Sequence, residues 1–259
     1  MKKVIVCVVV MLLLGITGCG ERQHAAVMSA GEAQIPSAIL EALDPVMRQE
    51  LTSEPKYLAL TFDDGPRRGT TDILLNGLRE RGVCATFFVV GQQIEGNEDL
   101  IRRMRDEGHQ IGNHTYSHTR LLRAEKETVI EEIQKTEVIL QALAGDGPYW
   151  LRPPYGLIDK RGAENIRTPM IYWSVDPEDW KLLDTEKVVS YVMEQVRDGD
   201  IILLHDFYPT SVDAALELVD RLEREGYTFV TVEELFRIHG TEPECRVMYA
   251  SPSCIRPIP

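Results

Sequence analysis

Three scarcities bound this 259-residue chain before any motif is read. Basic residues are few: 28 against 41 acidic ones, a formal net charge of −13. Such a chain does not attract phosphate backbones or acidic lipid headgroups, which excludes nucleic acid as an expected partner. Cysteine is scarce, with five residues in all, so no disulfide-dense scaffold is built here. Long apolar runs are scarce as well. The run over residues 4–14 falls short of the ~20 apolar residues a membrane-spanning helix needs. With 44% hydrophobic and 27% charged residues, disorder and a collagen-like repeat are excluded too. The length suits one core of roughly 200 residues, or two small ones.

The N-terminus differs in substance from the rest. Lys2 and Lys3 precede the apolar run, and Gly15-Ile16-Thr17-Gly18-Cys19 follows it. A basic start, an apolar run and small residues before a break predict a secretory signal over residues 1–18. Ile16-Thr17-Gly18-Cys19 also resembles a bacterial lipobox, in which the cysteine is acylated and becomes the mature N-terminus. That predicts an exported lipoprotein held to a membrane through Cys19; the plainer alternative is a signal peptide with an incidental cysteine. Residues 19–54 read as a tether, with weak helical spacing at Ile39, Leu40, Leu43, Val46 and Met47. Of the remaining cysteines, Cys84 lies in an apolar run and is expected to be an inert buried thiol. Cys245 and Cys254 stand close together, and in an oxidising compartment they are a candidate disulfide.

Over residues 55–238 strand and helix patterns alternate. Strands are expected at 57–62, 84–90, 110–113, 149–151, 170–175, 201–204 and 229–230, with helices at 71–81, 100–107, 127–143, 187–196, 212–225 and 232–238. This alternation predicts an α/β fold: a parallel sheet with helices outside it, open or closed into a barrel. No internal repeat is visible. Residues 239–259 show no period and are expected to be an irregular tail.

Polar clusters fall where such strands end. They are Asp63-Asp64-Gly65-Pro66, His114-Thr115-Tyr116-Ser117-His118, Arg152-Pro153-Pro154-Tyr155-Gly156, Asp176-Pro177-Glu178-Asp179-Trp180 and His205-Asp206. In a parallel barrel, the C-terminal strand ends form one rim, where active sites collect. The i, i+4 spacing of His114 and His118 predicts two imidazoles on one side of a helical turn. Two imidazoles and a carboxylate make a common zinc set with one position open. Adjacent carboxylates at the edge of a core are costly unless a cation neutralises one. One aspartate as ligand and the other as base is the division of labour that metal-assisted hydrolysis requires. Asp179 and Asp206 could be rim carboxylates without a chemical role, and His109 could be structural or functional.

In this order, Thr61-Phe62-Asp63-Asp64-Gly65-Pro66, His114-x-x-x-His118, Arg152-x-Pro154-Tyr155, Asp176-x-x-x-Trp180 and Leu203-x-His205 resemble the five motifs of the NodB-like polysaccharide deacetylases, the fourth family of carbohydrate esterases. Ala85-Thr86-Phe87-Phe88 and Gly112-Asn113-His114 are also similar to the family. The resemblance implies a distorted (β/α) barrel with a divalent metal, zinc by preference, at its mouth. By motif position it implies Asp64, His114 and His118 as metal ligands and Asp63 as general base. It implies His205 as general acid, Asp176 as the carboxylate that tunes it, and Arg152 as the residue orienting the base. The backbone N–H of Tyr155 would serve the oxyanion, and Trp180 and Leu203 would wall the acetyl group. The implied reaction is removal of N-acetyl groups from an N-acetylglucosamine polymer, peptidoglycan first. Chitin oligomers, acetylxylan and a catalytically silent glycan-binding lipoprotein are the alternatives. Two departures stand out. The stretch between Gly156 and Met170 is short, which would open the groove or weaken packing, and Phe207 occupies a position where a small residue is common.

Overall fold

Strand β1 (Lys56–Asp63) is buried from Leu58 to its end, as expected of a parallel strand covered on both faces. The computed structural model describes Glu54–Pro259; the predicted signal, Cys19, the tether and the weak helical spacing before residue 54 lie outside the described residues. On one side of β1 lie β2 (Thr86–Val89) and β3 (Gln110–Asn113), and on the other β5 (Ile201–His205), all parallel. A further parallel strand, β6 (Tyr227–Phe229), pairs with the first residues of β1.

Single bridges complete the ring. Leu151 bridges both Asn113 and Met170, and Val175 bridges Ile202. Between those contacts runs the chain that begins as β4 (Met170–Ile171). Closure thus rests on isolated pairs rather than full ladders, which is the distortion of this (β/α) barrel. The expected strand at 149–151 is reduced to the one bridging residue, Leu151.

Period-two alternation divides β1 between two environments. Leu58, Leu60 and Phe62 join the outer core with Leu74, Leu75 and Leu78 of helix α1 (Thr71–Arg81). Ala59 faces an inner cluster with Phe88, Trp150, Ile171, Ile201 and Phe236. Thr61 and Asp63 share the parity of Ala59, so the strand's polar end belongs to the interior series. The outer helices in chain order are α1, α2 (Gly91–Ile94), α3 (Glu98–Asp106), α4 (Lys126–Ala144), α5 (Lys160–Ala163), α6 (Asp179–Leu182), α7 (Thr185–Gln195), α8 (Pro209–Arg224) and α9 (Val232–Ile238). Helix α9 opens on a capping box, with Thr231 and Glu234 satisfying each other's backbone N–H groups. Its Val232, Leu235 and Phe236 seal the inner cluster.

Three expectations are corrected. The tail over 239–259 is not irregular: it forms β7 (Met248–Ser251) and β8 (Cys254–Arg256), and β7 pairs parallel with β4 through Met170–Met248 and Ile171–Tyr249. Strands this short carry no readable period, and the domain therefore extends to Pro259. Cys245 and Cys254 are free thiols. The hairpin register sets Ser251, not Cys245, opposite Cys254, while Cys245 Sγ lies 3.0 Å from the Arg167 carbonyl oxygen. The short stretch after Gly156 packs well. Ile158, Ala163 and Ile166 are buried with Leu121, Val129, Leu151, Met170 and Met248.

Candidate active site

Asp63 ends β1 and stands in register with His205 on β5. Beside it lies the largest fully buried side chain among the described residues, Arg152. Arg152 Nη1 donates to Asp63 Oδ1 at 2.7 Å and to Thr61 Oγ1 at 2.8 Å, and Nη2 donates to the Tyr172 carbonyl at 2.9 Å. Its guanidinium carbon lies 4.1 Å from the centre of the Phe88 ring, a cation–π contact. Burial alone would raise the Asp63 carboxyl; the charge of Arg152, with His114 and His205, instead holds it below the usual carboxylate range. Asp63 is therefore an oriented, ionised carboxylate with one oxygen committed to Arg152.

The neighbouring carboxylate points elsewhere. Asp64 takes a left-handed backbone conformation, φ 76°, as the strand breaks into the Gly65-Pro66 turn. Gly65 is required there, because a Cβ would collide with the Asp206 carboxylate. Asp64 Oδ1 lies 3.3 Å from His118 Nε2 and 3.7 Å from His114 Nε2. The two histidines do not sit on a helical turn, contrary to the spacing argument. Thr115 and His118 have φ values of 67° and 57°, so the 114–118 segment is a kinked loop that brings the ring centroids to 5.0 Å. Glu132 on α4 holds this loop, accepting from the Tyr116 and Ser117 N–H groups and the Ser117 hydroxyl.

These residues fit a metal ion. Each of Asp64, His114 and His118 offers one ligand atom, and the three atoms lie within 4.8 Å of one another. Asp64 Oδ1 is buried without a hydrogen-bond partner among the described residues, a cost that a cation would remove. His114 Nδ1 lies 2.6 Å from the Arg152 carbonyl, which can only accept; the proton therefore belongs on Nδ1, and Nε2 turns to the two carboxylates, 3.5 Å from Asp63 Oδ2 and 3.7 Å from Asp64 Oδ1.

Across the mouth, His205 Nδ1 donates to Asp179 Oδ1 and the His205 N–H donates to Asp179 Oδ2, both at 2.8 Å. Burial opposes charge on the ring, but the Asp179 hydrogen bond and charge, with Asp63 and Asp64 adding, push His205 up to about 9. This corrects the expectation for Asp176. Asp176 accepts the Glu178 N–H at 2.9 Å in a local turn, and burial raises its carboxyl. Glu178, with φ 52°, turns the chain so that the next residue, Asp179, enters behind the imidazole.

The remaining predicted residues surround this group. Tyr155 sits in the 3₁₀ turn Pro154–Gly156 with φ 60° and ψ 9°, its ring 4.7 Å from that of His118. Leu203 is buried on β5 in register with Thr61, and Trp180 is 48% exposed on α6 next to Asp179. His109 is structural: its Nδ1 accepts the Ala85 N–H, and burial pulls the ring down to about 4. Asp206 is fully buried and accepts from Thr71 Oγ1, with burial raising it to about 7. Phe207 lies under the Arg67 guanidinium, 4.2 Å from its carbon.

A family model described as "Polysaccharide deacetylase" matches residues 50–168. The peptidoglycan-N-acetylmuramic acid deacetylase PdaC of Bacillus subtilis is 40% identical over 189 residues, 72% of this chain and 40% of its own length. Its solved structure covers 72% of this chain and 93% of that chain, with a TM-score of 0.70 and 39% identity. The family 4 acetyl xylan esterase of Clostridium thermocellum, solved in complex with a cobalt ion, is 34% identical with a TM-score of 0.73, covering 76% of this chain and 100% of that one. The chain belongs to the polysaccharide deacetylase family. Another relative, the peptidoglycan-N-acetylglucosamine deacetylase PgdA of Listeria monocytogenes, is 40% identical over 70% of this chain and 39% of its own length. The chain thus spans about two fifths of the length of these two curated relatives.

In this member of the polysaccharide deacetylase family, Asp63, Asp64, His114, His118, Arg152 and His205 converge at the barrel mouth, with Tyr155 at its edge. Asp179 is the site residue that sequence reasoning missed. One signal could have found it: the Pro177-Glu178 turn separates it from Asp176, and it opens a helix, where carboxylates are common. Periodicity could not choose between two aspartates three positions apart.

Proposed function

We propose that this chain is a divalent-metal-dependent hydrolase that removes N-acetyl groups from an N-acetylglucosamine-containing polysaccharide, peptidoglycan first. One observation carries the reading: an ionised, arginine-held carboxylate and a charged imidazole–carboxylate pair flank the Asp/His/His cluster found among the described residues. Asp64, His114 and His118 would hold the ion, and the two-nitrogen, one-oxygen set favours zinc. When bound, such an ion polarises an acyl carbonyl and lowers the pKa of water, typically to about 7.

The chain's own residues supply the rest. Asp63, kept ionised and aimed by Arg152, accepts the proton of the attacking water through the oxygen that Arg152 does not take. His205, kept cationic by Asp179, donates its Nε2 proton to the departing nitrogen. An amide needs this acid, because a neutral amine leaves far more readily than an amide anion. The Tyr155 N–H, in its left-handed turn, donates to the developing oxyanion. Leu203 and Trp180 border the acetyl methyl. The ester reading, acetylxylan, is supported by the similarity to the Clostridium thermocellum esterase. The strongly charged His205 favours the amide, since an alkoxide departs with less help.

The names of PdaC and PgdA support a cell-wall glycan and an envelope setting. The lipobox-like Ile16–Cys19 segment supports a lipid tether on Cys19. The deciding experiment is incubation of the metal-loaded protein with peptidoglycan, chitin oligomers and acetylxylan. Acetate and new free amines should appear together on the first two. Acetate from acetylxylan alone would replace the amidase reading with the esterase.

A further inference from the structure

We propose that Arg256, stacked on Tyr172, forms a subsite for a carboxylate borne by the glycan beside the acetylated sugar. This rests on the deacetylase reading and adds a preference for an anionic over a neutral polymer.

The tail hairpin carries Arg256 to this position. Register links Met170 to Met248 on β7 and Met248 to Arg256 on β8, so Arg256 lies two strands from Met170. Tyr172 follows two residues after Met170, and the Arg256 guanidinium carbon rests 3.8 Å from the centre of its ring. Tyr172 in turn stacks on Trp173, with ring centroids 3.8 Å apart and an interplanar angle of 12°. The stack adjoins the active site. The Tyr172 carbonyl accepts from Arg152, and the Tyr172 ring lies so close to Gly156 that a Cβ there would clash with it. Gly156 directly follows Tyr155, whose ring touches that of His118. Arg256 is therefore joined through the Tyr172 ring to the loop that carries the candidate oxyanion donor.

The chemistry favours a carboxylate. Among the described residues the Arg256 side chain makes no ion pair or hydrogen bond, in a protein of net charge −13. Its guanidinium face is occupied by the tyrosine ring, and it is exposed, which leaves its N–H edge for solvent or ligand. A planar, donor-only fork of this kind matches a carboxylate bidentately. Stacking fixes the fork beforehand and reduces the ordering cost of binding. Peptidoglycan carries carboxylates on the substituents of alternate sugars; chitin carries none.

The test compares wild type, Arg256→Gln and Arg256→Lys, each metal-loaded, on a peptide-bearing peptidoglycan fragment and on a neutral N-acetylglucosamine tetramer. Arg256→Gln should raise KM for the anionic fragment about fivefold or more, with kcat held. KM for the tetramer should not move. Arg256→Lys should recover part of the loss, and added salt should shrink the wild-type preference. Equal KM ratios in wild type and Arg256→Gln would overturn the subsite. If wild type deacetylated neither probe, the deacetylase reading would fail. Equilibrium binding of the anionic fragment would then still decide the subsite: weaker binding to Arg256→Gln supports it, and unchanged binding refutes it.

Discussion

Replacing Asp179 by asparagine isolates the force that keeps His205 charged. The imidazole rises from its ordinary 6.5 to about 9, against the burial that would lower it. At about 1.4 kcal/mol per unit, that rise favours the imidazolium by roughly 3 kcal/mol. Asparagine keeps the shape but loses the charge, and it offers only one acceptor for the two His205 donors. With the main raising influence gone, His205 should fall to 6.5 or lower. At pH 8 a group titrating near 9 is about nine-tenths protonated, and one titrating near 6.5 only about 3%. Turnover at pH 8 should then fall about 30-fold from titration alone, with an alkaline limb displaced by two units or more. Near pH 6 the variant should approach wild type again, because the acid is refilled. A pH–rate series on the metal-loaded enzyme reads both effects. Stability follows the same direction. A raised pKa contributes stability that is complete below 6.5 and lost as pH rises through about 9, so the variant should lose its deficit relative to wild type in alkaline buffer. Asp176→Asn is the companion, and its alkaline limb should stay in place. If Asp176→Asn moved the limb and Asp179→Asn did not, the assignment of Asp179 would be wrong.

Three further outcomes are expected. Asp64→Asn, His114→Ala and His118→Ala should lose bound metal, while Asp63→Asn should keep it and lose about 10²–10⁴ in turnover; metal content measured beside rate separates ligands from base. Phe236→Ala should lower stability by about 3–5 kcal/mol in denaturant titration, because Phe236 is 1% exposed in the inner cluster. A loss below 1 kcal/mol would mean that helix α9 does not seal the barrel. Cys245 and Cys254 should both react with an alkylating reagent in unreduced protein, as read by intact mass, and Cys84 more slowly because burial raises its thiol. Protection of the two tail thiols until reduction would restore the disulfide.

Residue order alone determined the α/β alternation, the polar strand ends and the presence of two adjacent carboxylates, Asp63 and Asp64, at the end of the first strand. Those features are local. A buried parallel strand must be apolar along its length, and a carboxylate pair at its end is conspicuous because it interrupts that run. The tertiary structure decided what depends on direction and register. His114 and His118 converge through a kinked loop, since left-handed φ values at Thr115 and His118 leave no periodic trace. Asp179 rather than Asp176 reaches His205, because the left-handed Glu178 sets which carboxylate enters the mouth. The tail joins the sheet through pairings of two and three residues, too short to leave a pattern of their own. That register brings Arg256 to Tyr172 and keeps Cys245 away from Cys254: spacing along a chain states which residues are near in sequence, and only the path of the backbone states which way their side chains face.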